Sequence, residues 1–464
     1  MTRRGFVRGA MAVGAYGMFG SRCGFAAGAA AGADSAAGLA LPTDVQRRWA
    51  DMELGMFYHY DIPIFGGGRA PDPNRYNPAK LDTDQWMEAA KAYGAKYVVL
   101  TAKHGAGFMQ WQSDIYPYGV KQSKWRGGKG DLVRDFVNSA RKYGMLPGLY
   151  VAMHYNWFLG VRKSGGRVNA KGYFGEGPEA QKKYSASCEA VLNELLSNYG
   201  ELFEIWFDGG VLPPEEGGPR ALEIIERLQP NAILFQGPKQ AKNIIRWIGN
   251  ERGVAPYPCW ATGRDVTQSD GVKESRAQRF TGTPDGHKWM PGECDVPLAH
   301  GKWMCTNARG RPYWTMDELM AKYDCSVGRN CNLILNAAPQ QDGLVAENEM
   351  KIYEEFGKRI KGRYANMLAK TEGEGERVEL AIPKDAGPVN QVVLMERIER
   401  GERVREFTLE AKSGGGEWRK IYKGSCIGHK HIVRFEKTEA DRLRLTVAKS
   451  AATPLIRDFS AYCN

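Results

Sequence analysis

The sequence predicts an α/β fold: a (β/α)8-like barrel followed by a C-terminal antiparallel β-sandwich. Three observations carry this expectation. Short apolar runs alternate with amphipathic stretches from residue 54 onward, the pattern of a parallel sheet covered by helices. Several of those runs close on a titratable side chain. Past about residue 370 the chain changes to short alternating strands split by glycine and charged turns, which reads as an antiparallel sandwich.

The elements follow in order. The chain opens MTRRGFVRGAMAVGAYGMFG and continues into GFAAGAAAGADSAAGLA. Paired Arg3 and Arg4, then Phe6 and a weakly apolar stretch, match a twin-arginine export signal. The apolar run is too short and too rich in glycine to span a membrane. Residues 1–38 are therefore set apart as a signal region, and an exported, periplasmic or extracellular protein is expected. LGMFYHY (54–60), KYVVLTAKH (96–104), PGLYVAMHY (147–155), LFEIWFDG (202–209), NAILFQG (231–237), NIIRWIGNE (243–251) and NLILNAAP (332–339) read as buried strands, rich in β-branched and aromatic residues. Seven such strands favour a closed barrel over an open sheet. TDQWMEAAKAYG and GDLVRDFVNSARKYG carry an Asp or Thr cap and a closing glycine, and RALEIIERLQP and TMDELMAKYDCSVG complete the helix patterns. Residues 252–315, rich in Gly, Pro and Trp, give no placeable strand. The catalytic barrel is expected over 39–365 and the sandwich over 366–464.

Composition narrows the function classes. A mean hydropathy of −0.47 rules out a polytopic membrane protein. The formal charge of +11 is spread along the chain without a dense basic run, so a solvated basic surface is expected rather than a nucleic-acid site. Nine cysteines lie far apart with no CxxC pair, which argues against zinc or redox chemistry. Buried free thiols are the expectation, with disulfides among Cys259 to Cys331 as the alternative for an exported chain.

The strand ends point to the chemistry. His59, His104, His154, Asp208 and Glu251 close five of the runs, and in a barrel such ends converge on one face. Asp208, followed by two glycines, also fits a plain strand-ending turn. Metal binding would call for HxH or HExxH spacing near these strands, and neither occurs. His429 and His431 in HKH share a face of a sandwich strand and are expected to form a basic surface pair. A GxSxG nucleophile elbow is absent. Two carboxylates among aromatics (Trp206, Trp247, Trp111, Trp157) suit glycoside cleavage, in which one attacks or activates water and the other protonates the leaving oxygen.

Six motifs then occur in order: PTDVQRRWADMELGMFYHYDIPIF, YNPAKLDTDQWMEAAKAYGAKYVVLTAKHGAGFMQW, YGVKQSKWRGGKGDLVRDFVNSARKYGMLPGLY, EIWFDGG, RWIGNE and SVGRNCNLILNAAPQQDGL. Together they resemble the α-L-fucosidases of glycoside hydrolase family 29, over about residues 42 to 365, and the tail resembles that family's C-terminal sandwich. The resemblance implies a retaining exo-α-L-fucosidase without metal or cofactor, acting on a fucosylated oligosaccharide or polysaccharide. Asp208 matches the nucleophile. Glu251 in RWIGNE matches the acid/base of the branch that prefers α-1,3/1,4-linked fucose; Glu293 in PGECDVP is the runner-up acid and is otherwise expected to line the sugar subsite. His59 and His104 match sugar-binding histidines; Tyr150, His154, Trp206, Arg246, Trp247 and Trp303 are expected around the sugar. Three positions depart from the family pattern. Gly105 follows His104, FGGGRAPDP replaces a Glu-Trp segment, and Asp61 stands where glycine is frequent. An enzyme acting on α-L-galactosides or sulfated fucosides, or a non-catalytic glycan binder on the same fold, are the alternatives.

Overall fold

The computed structural model describes residues 38–264, 280–305 and 311–464; nearly all of the expected signal region lies outside them. Eight parallel strands close into a barrel: β1 (Leu54–Tyr58), β2 (Tyr97–Lys103), β3 (Leu146–Val151), β4 (Glu204–Trp206), β5 (Ile233–Phe235), β6 (Ile244–Trp247), β9 (Gly292–Pro297) and β10 (Cys331–Ala337). The ring order is β1-β10-β9-β6-β5-β4-β3-β2. The chain leaves the ring between β6 and β9 and there forms a two-stranded antiparallel sheet of β7 (Thr262–Gly263) and β8 (Lys288–Trp289).

Both faces of these strands are buried, so two apolar sets alternate along each one. Met56, Tyr58, Val98, Leu100, Leu149, Ile205 and Leu333 face the surrounding helices. Phe57, Tyr97, Val99, Tyr150, Trp206, Phe235, Ile245 and Ile334 fill the interior with Trp49. Gly55 makes the interior possible at one point: a Cβ there would sit 2.4 Å from the Tyr97 ring. Each fully buried side chain of this size contributes about 1.5–3 kcal/mol of transfer free energy.

The helices start where their sequences say. Asp82 caps Thr83–Tyr93 through the amides of Asp84 and Gln85, and Gly94 ends it in the left-handed region. Asp131 caps Leu132–Lys142. Thr315 and Glu318 form a reciprocal capping box on Met316–Ser326. Three helices go beyond the patterns read from the sequence, Asp44–Met52, Gly177–Asn198 and Glu347–Gly362. The first supplies Trp49 to the barrel interior, and its Gln46 amide donates to the Ile244 and Trp289 carbonyls.

The C-terminal strands form two four-stranded antiparallel sheets. One is β11 (Met367–Glu374), β18 (Leu455–Tyr462), β13 (Val389–Glu396) and β16 (His431–Thr438); the other is β12 (Arg377–Ala381), β17 (Arg442–Ser450), β14 (Val404–Lys412) and β15 (Arg419–Gly424). Val392, Leu394, Phe407, Leu409, Leu445 and Phe459 lie in the apolar cluster that the two sheets share. The sandwich docks against residues that precede β1 and β10. His429 and His431 are there, buried, and this corrects the expected surface pair. His429 lies 3.6 Å from Glu53, Lys430 also pairs with Glu53, and His431 meets the Gly328 carbonyl at 3.1 Å. Burial pushes the Glu53 carboxyl up, but Lys430 and His429 outweigh it and hold it at about 2. The eight described cysteines are free thiols, with Cys259 and Cys331 sulfurs 3.5 Å apart. Among the described residues no helix is long and apolar enough to cross a membrane.

Candidate active site

Because all eight strands run in parallel, the residues just past their carboxyl ends meet at one rim. A cavity of about 260 Å³ opens there, lined by His59, His104, Tyr150, Trp206, Asp208, Gln236, Trp247, Glu251, Asp295 and Trp303, with Phe57 and Met304.

Each side chain is held by a neighbour from another strand. Tyr150, inward on β3, donates its hydroxyl to Asp208 Oδ2 at 3.0 Å. Its ring stacks between His104 (5.2 Å, 22°) and Trp206 (5.4 Å, 21°). Gln236, past β5, accepts the Gly209 amide at 2.8 Å and so pins the turn after Asp208. Gly209 has φ +74, and a Cβ there would fall 2.2 Å from His154 Nδ1. The Asp-Gly-Gly sequence is therefore both a tight turn and the mount for a pocket carboxylate. Glu251 Oε2 accepts the Trp303 indole at 3.0 Å, and Asp295 Oδ1 accepts the Trp247 indole at 2.8 Å. Gln236 (φ 48) and Glu251 (φ 49) both occupy the left-handed region, a strained conformation for residues with a Cβ.

The hydrogen bonds define what the pocket offers. Asn336 donates its amide to the Trp303 carbonyl at 2.9 Å, so its oxygen faces His59 Nδ1 at 2.7 Å. His59 Nδ1 is the donor in that contact, which leaves Nε2 bare as an acceptor. Burial, then the neighbouring His104, pushes the His59 pKa far down, so the ring is neutral. Burial raises the Asp208 carboxyl, the Tyr150 hydroxyl opposes that, and Glu251 adds to it. Asp295 is pushed up to about 8, chiefly by burial. The pocket thus combines three carboxyl groups, a neutral imidazole acceptor and aromatic walls, a set able to grip hydroxyls and perform acid–base or nucleophilic work on a sugar.

Three residues expected around the sugar lie outside this lining. His154 packs behind Gly209 and bonds Ser164 Oγ at 2.8 Å. Arg246 follows Ile245 on β6, so the two-residue period turns it away from the interior, toward the Met290 carbonyl and the Cys259 thiol. Glu293 is fully buried one layer below, accepting from Tyr97 Oη at 2.6 Å and Trp206 Nε1 at 3.0 Å. It corrects the runner-up acid: a carboxyl sealed under Trp206 has no path to a leaving group. Trp111 is buried against Glu194, and Trp157 lies under Arg69 and Arg162, so neither lines the cavity. Asp295, Asn336 and Gln236 are the contributors the sequence reading passed over. The signal for Asp295 was Glu-Cys-Asp, two acids at the spacing of one strand face.

The chain is similar to known proteins over most of its length. Residues 70–363 match the family model "Alpha-L-fucosidase". The chain is 30% identical over 475 residues to "Alpha-L-fucosidase 1" of Arabidopsis thaliana, covering 91% of this chain and 88% of the relative. It superposes on a crystal structure of a candidate α-L-fucosidase from Bacteroides thetaiotaomicron with a TM-score of 0.84 and 38% identity, over 92% of this chain and 100% of that one. A glycoside hydrolase family 29 member from an unknown rumen bacterium matches with a TM-score of 0.75 and 28% identity, over 91% and 77% of the two chains. With its closed barrel, its sandwich and its carboxylate-lined pocket, the chain belongs to the α-L-fucosidase family of glycoside hydrolases.

Proposed function

We propose that the protein is an exported, retaining exo-α-L-fucosidase that removes terminal α-1,3/1,4-linked fucose, with Asp208 as nucleophile and Glu251 as acid/base. The observation that carries this is Asp208, mounted on the Gly-Gly turn and oriented by Tyr150, in one cavity with Glu251. Asp208 attacks the anomeric carbon while Glu251 gives its proton to the leaving oxygen. Glu251, now a carboxylate, takes a proton from water, which displaces Asp208 from the sugar ester and restores the original anomer. A cavity of about 260 Å³ lies below the usual range for drug-sized ligands and suits one terminal ring. The linkage preference rests on the RWIGNE motif that carries Glu251. Asp208→Gly should nearly abolish turnover of an aryl α-L-fucoside in a folded protein, and proton NMR should find the α-anomer released first. Initial release of the β-anomer would refute retention.

A second assignment of the acid is favoured by one observation. Asp295 is buried in the pocket wall and carries a proton at neutral pH. Leaving-group dependence separates the two: loss of the acid harms poorly activated glycosides far more than aryl fucosides, and azide restores the rate. That behaviour is expected of Glu251→Ala; found in Asp295→Asn instead, it would transfer the role.

A further inference from the structure

The carboxyl group of Asp61 has no part in the mechanism above, yet it is fully buried beside the sugar pocket. It follows β1 in extended backbone, φ −154 and ψ 163. Its Oδ1 accepts the Ile62 amide at 2.7 Å. Its Oδ2 has no hydrogen-bond partner. A buried carboxylate oxygen left unpaired is costly, so the groups around it matter. His104 Nδ1 is 3.9 Å away. Lys103, whose charge favours ionised Asp61, turns its ammonium to the Ala152 carbonyl. Tyr76, Tyr116, Tyr118 and Tyr150 are the other titratable groups that sense the Asp61 charge, and each of their hydroxyls is engaged elsewhere. His104 is the donor left to satisfy Oδ2.

We propose that Asp61 is a positioning residue for His104: one proton lies between Oδ2 and Nδ1, and the charge state of Asp61 decides which hydrogen-bonding sense His104 Nε2 presents to the sugar. With Asp61 ionised, Nδ1 carries the ring proton and donates to Oδ2, so Nε2 is a bare acceptor. With Asp61 protonated, the carboxyl donates to Nδ1 and the ring proton sits on Nε2, which becomes a donor. One proton is taken up in all, and the imidazole is neutral in both states. The local balance suits such a switch. Burial pushes Asp61 up to about 7, against the Ile62 amide and Lys103. Burial, then Lys103, holds His104 down at about 4. From 3.9 Å, a small turn of the His104 ring brings Nδ1 within hydrogen-bond reach of Oδ2 in the free protein.

The proposal rests on the reading of the pocket as a sugar site, and its test is independent of turnover. The enzyme is labelled with 15N-histidine, the His104 ring signals are assigned with His104→Gln, and the free wild-type protein is titrated by NMR. The protonated nitrogen should pass from Nε2 to Nδ1 as pH rises through about 7. In Asp61→Asn, whose amide can donate to Nδ1 at every pH, it should stay on Nε2. KM for an aryl α-L-fucoside above pH 7 should then rise about five- to tenfold with kcat little changed. A wild-type ring whose tautomer ignores pH overturns the proposal, even if Asp61→Asn fails to fold. So does an Asp61→Asn protein with the wild-type titration. An enzyme inactive on fucosides but with the expected titration removes the fucosidase reading alone.

Discussion

Replacing Tyr150 by Phe removes a single hydroxyl and tests the centre of the mechanism. That hydroxyl donates to Asp208 Oδ2 at 3.0 Å. The ring itself is held by stacking on His104 and Trp206, and Phe keeps that stacking and nearly all the volume. The perturbation is therefore confined to one hydrogen bond on an ionised carboxylate. Such a bond contributes about 1.5–3 kcal/mol, which is about a tenfold to hundredfold change in an equilibrium. The sign follows from which form it favours. Tyr150 lowers the Asp208 pKa against burial and the Glu251 charge, so its loss makes the proposed nucleophile harder to ionise. On the acid side of the pH profile, kcat/KM for an aryl α-L-fucoside should fall by about that factor. The loss should shrink toward high pH, and the acid limb should shift upward while thermal stability changes little. An acid limb that stays in place, with a loss equal at every pH, would refute the assignment of Asp208 as the group that must be ionised.

Three further outcomes are expected. Gly209→Ala should lower both stability and kcat, because a Cβ at φ +74 would fall 2.2 Å from His154 Nδ1; wild-type activity with an unchanged melting curve would mean the turn is not rigid. Glu293→Gln should leave azide without effect and cost stability instead, since Glu293 accepts from Tyr97 and Trp206 under the pocket; calorimetry and rate measurements separate the two. Glu53, held at about 2 against an ordinary 4.5, contributes stability that is complete above pH 4.5 and lost as pH falls toward 2. At about 1.4 kcal/mol per pH unit that is about 3 kcal/mol, and denaturant melts of Glu53→Gln should lack this acid dependence.

What the sequence disclosed follows from how each element is buried. Strands with apolar residues on both faces, such as YVVLTAK and CNLILNA, stand out because each holds an unbroken apolar run, YVVL in one and LIL in the other. β9 does not stand out, because Glu293 and Asp295 are two of its six residues, and both are buried. β11 hides for the opposite reason: none of its residues is fully buried, and it reads MLAKTEGE, like a loop. Histidines at strand ends marked the pocket face, but only the turn after β4 decides that His154 backs it while His59 and His104 enter it. Arg246 and Trp247 are neighbours in one motif with opposite directions, a distinction set by strand parity. His429 and His431 look like surface groups because the groups they pack against, Glu53 for the first and the Gly328 carbonyl for the second, come from the barrel, far earlier in the chain.

The left-handed backbones of Gln236 and Glu251 have an evolutionary consequence. Each stores about 1–3 kcal/mol of strain that glycine would relieve. Relief at position 251 would discard the carboxyl, and at position 236 the amide that pins the Asp208 turn. On the roles proposed for Asp208 and Glu251, selection for heat resistance alone favours inactive descendants. A duplicated copy freed from catalytic duty gains stability fastest by dismantling this pocket, while the barrel around it persists. Directed evolution of this enzyme has to screen turnover in every round, since its most stable progeny and its most active progeny lie in different directions from the same two residues.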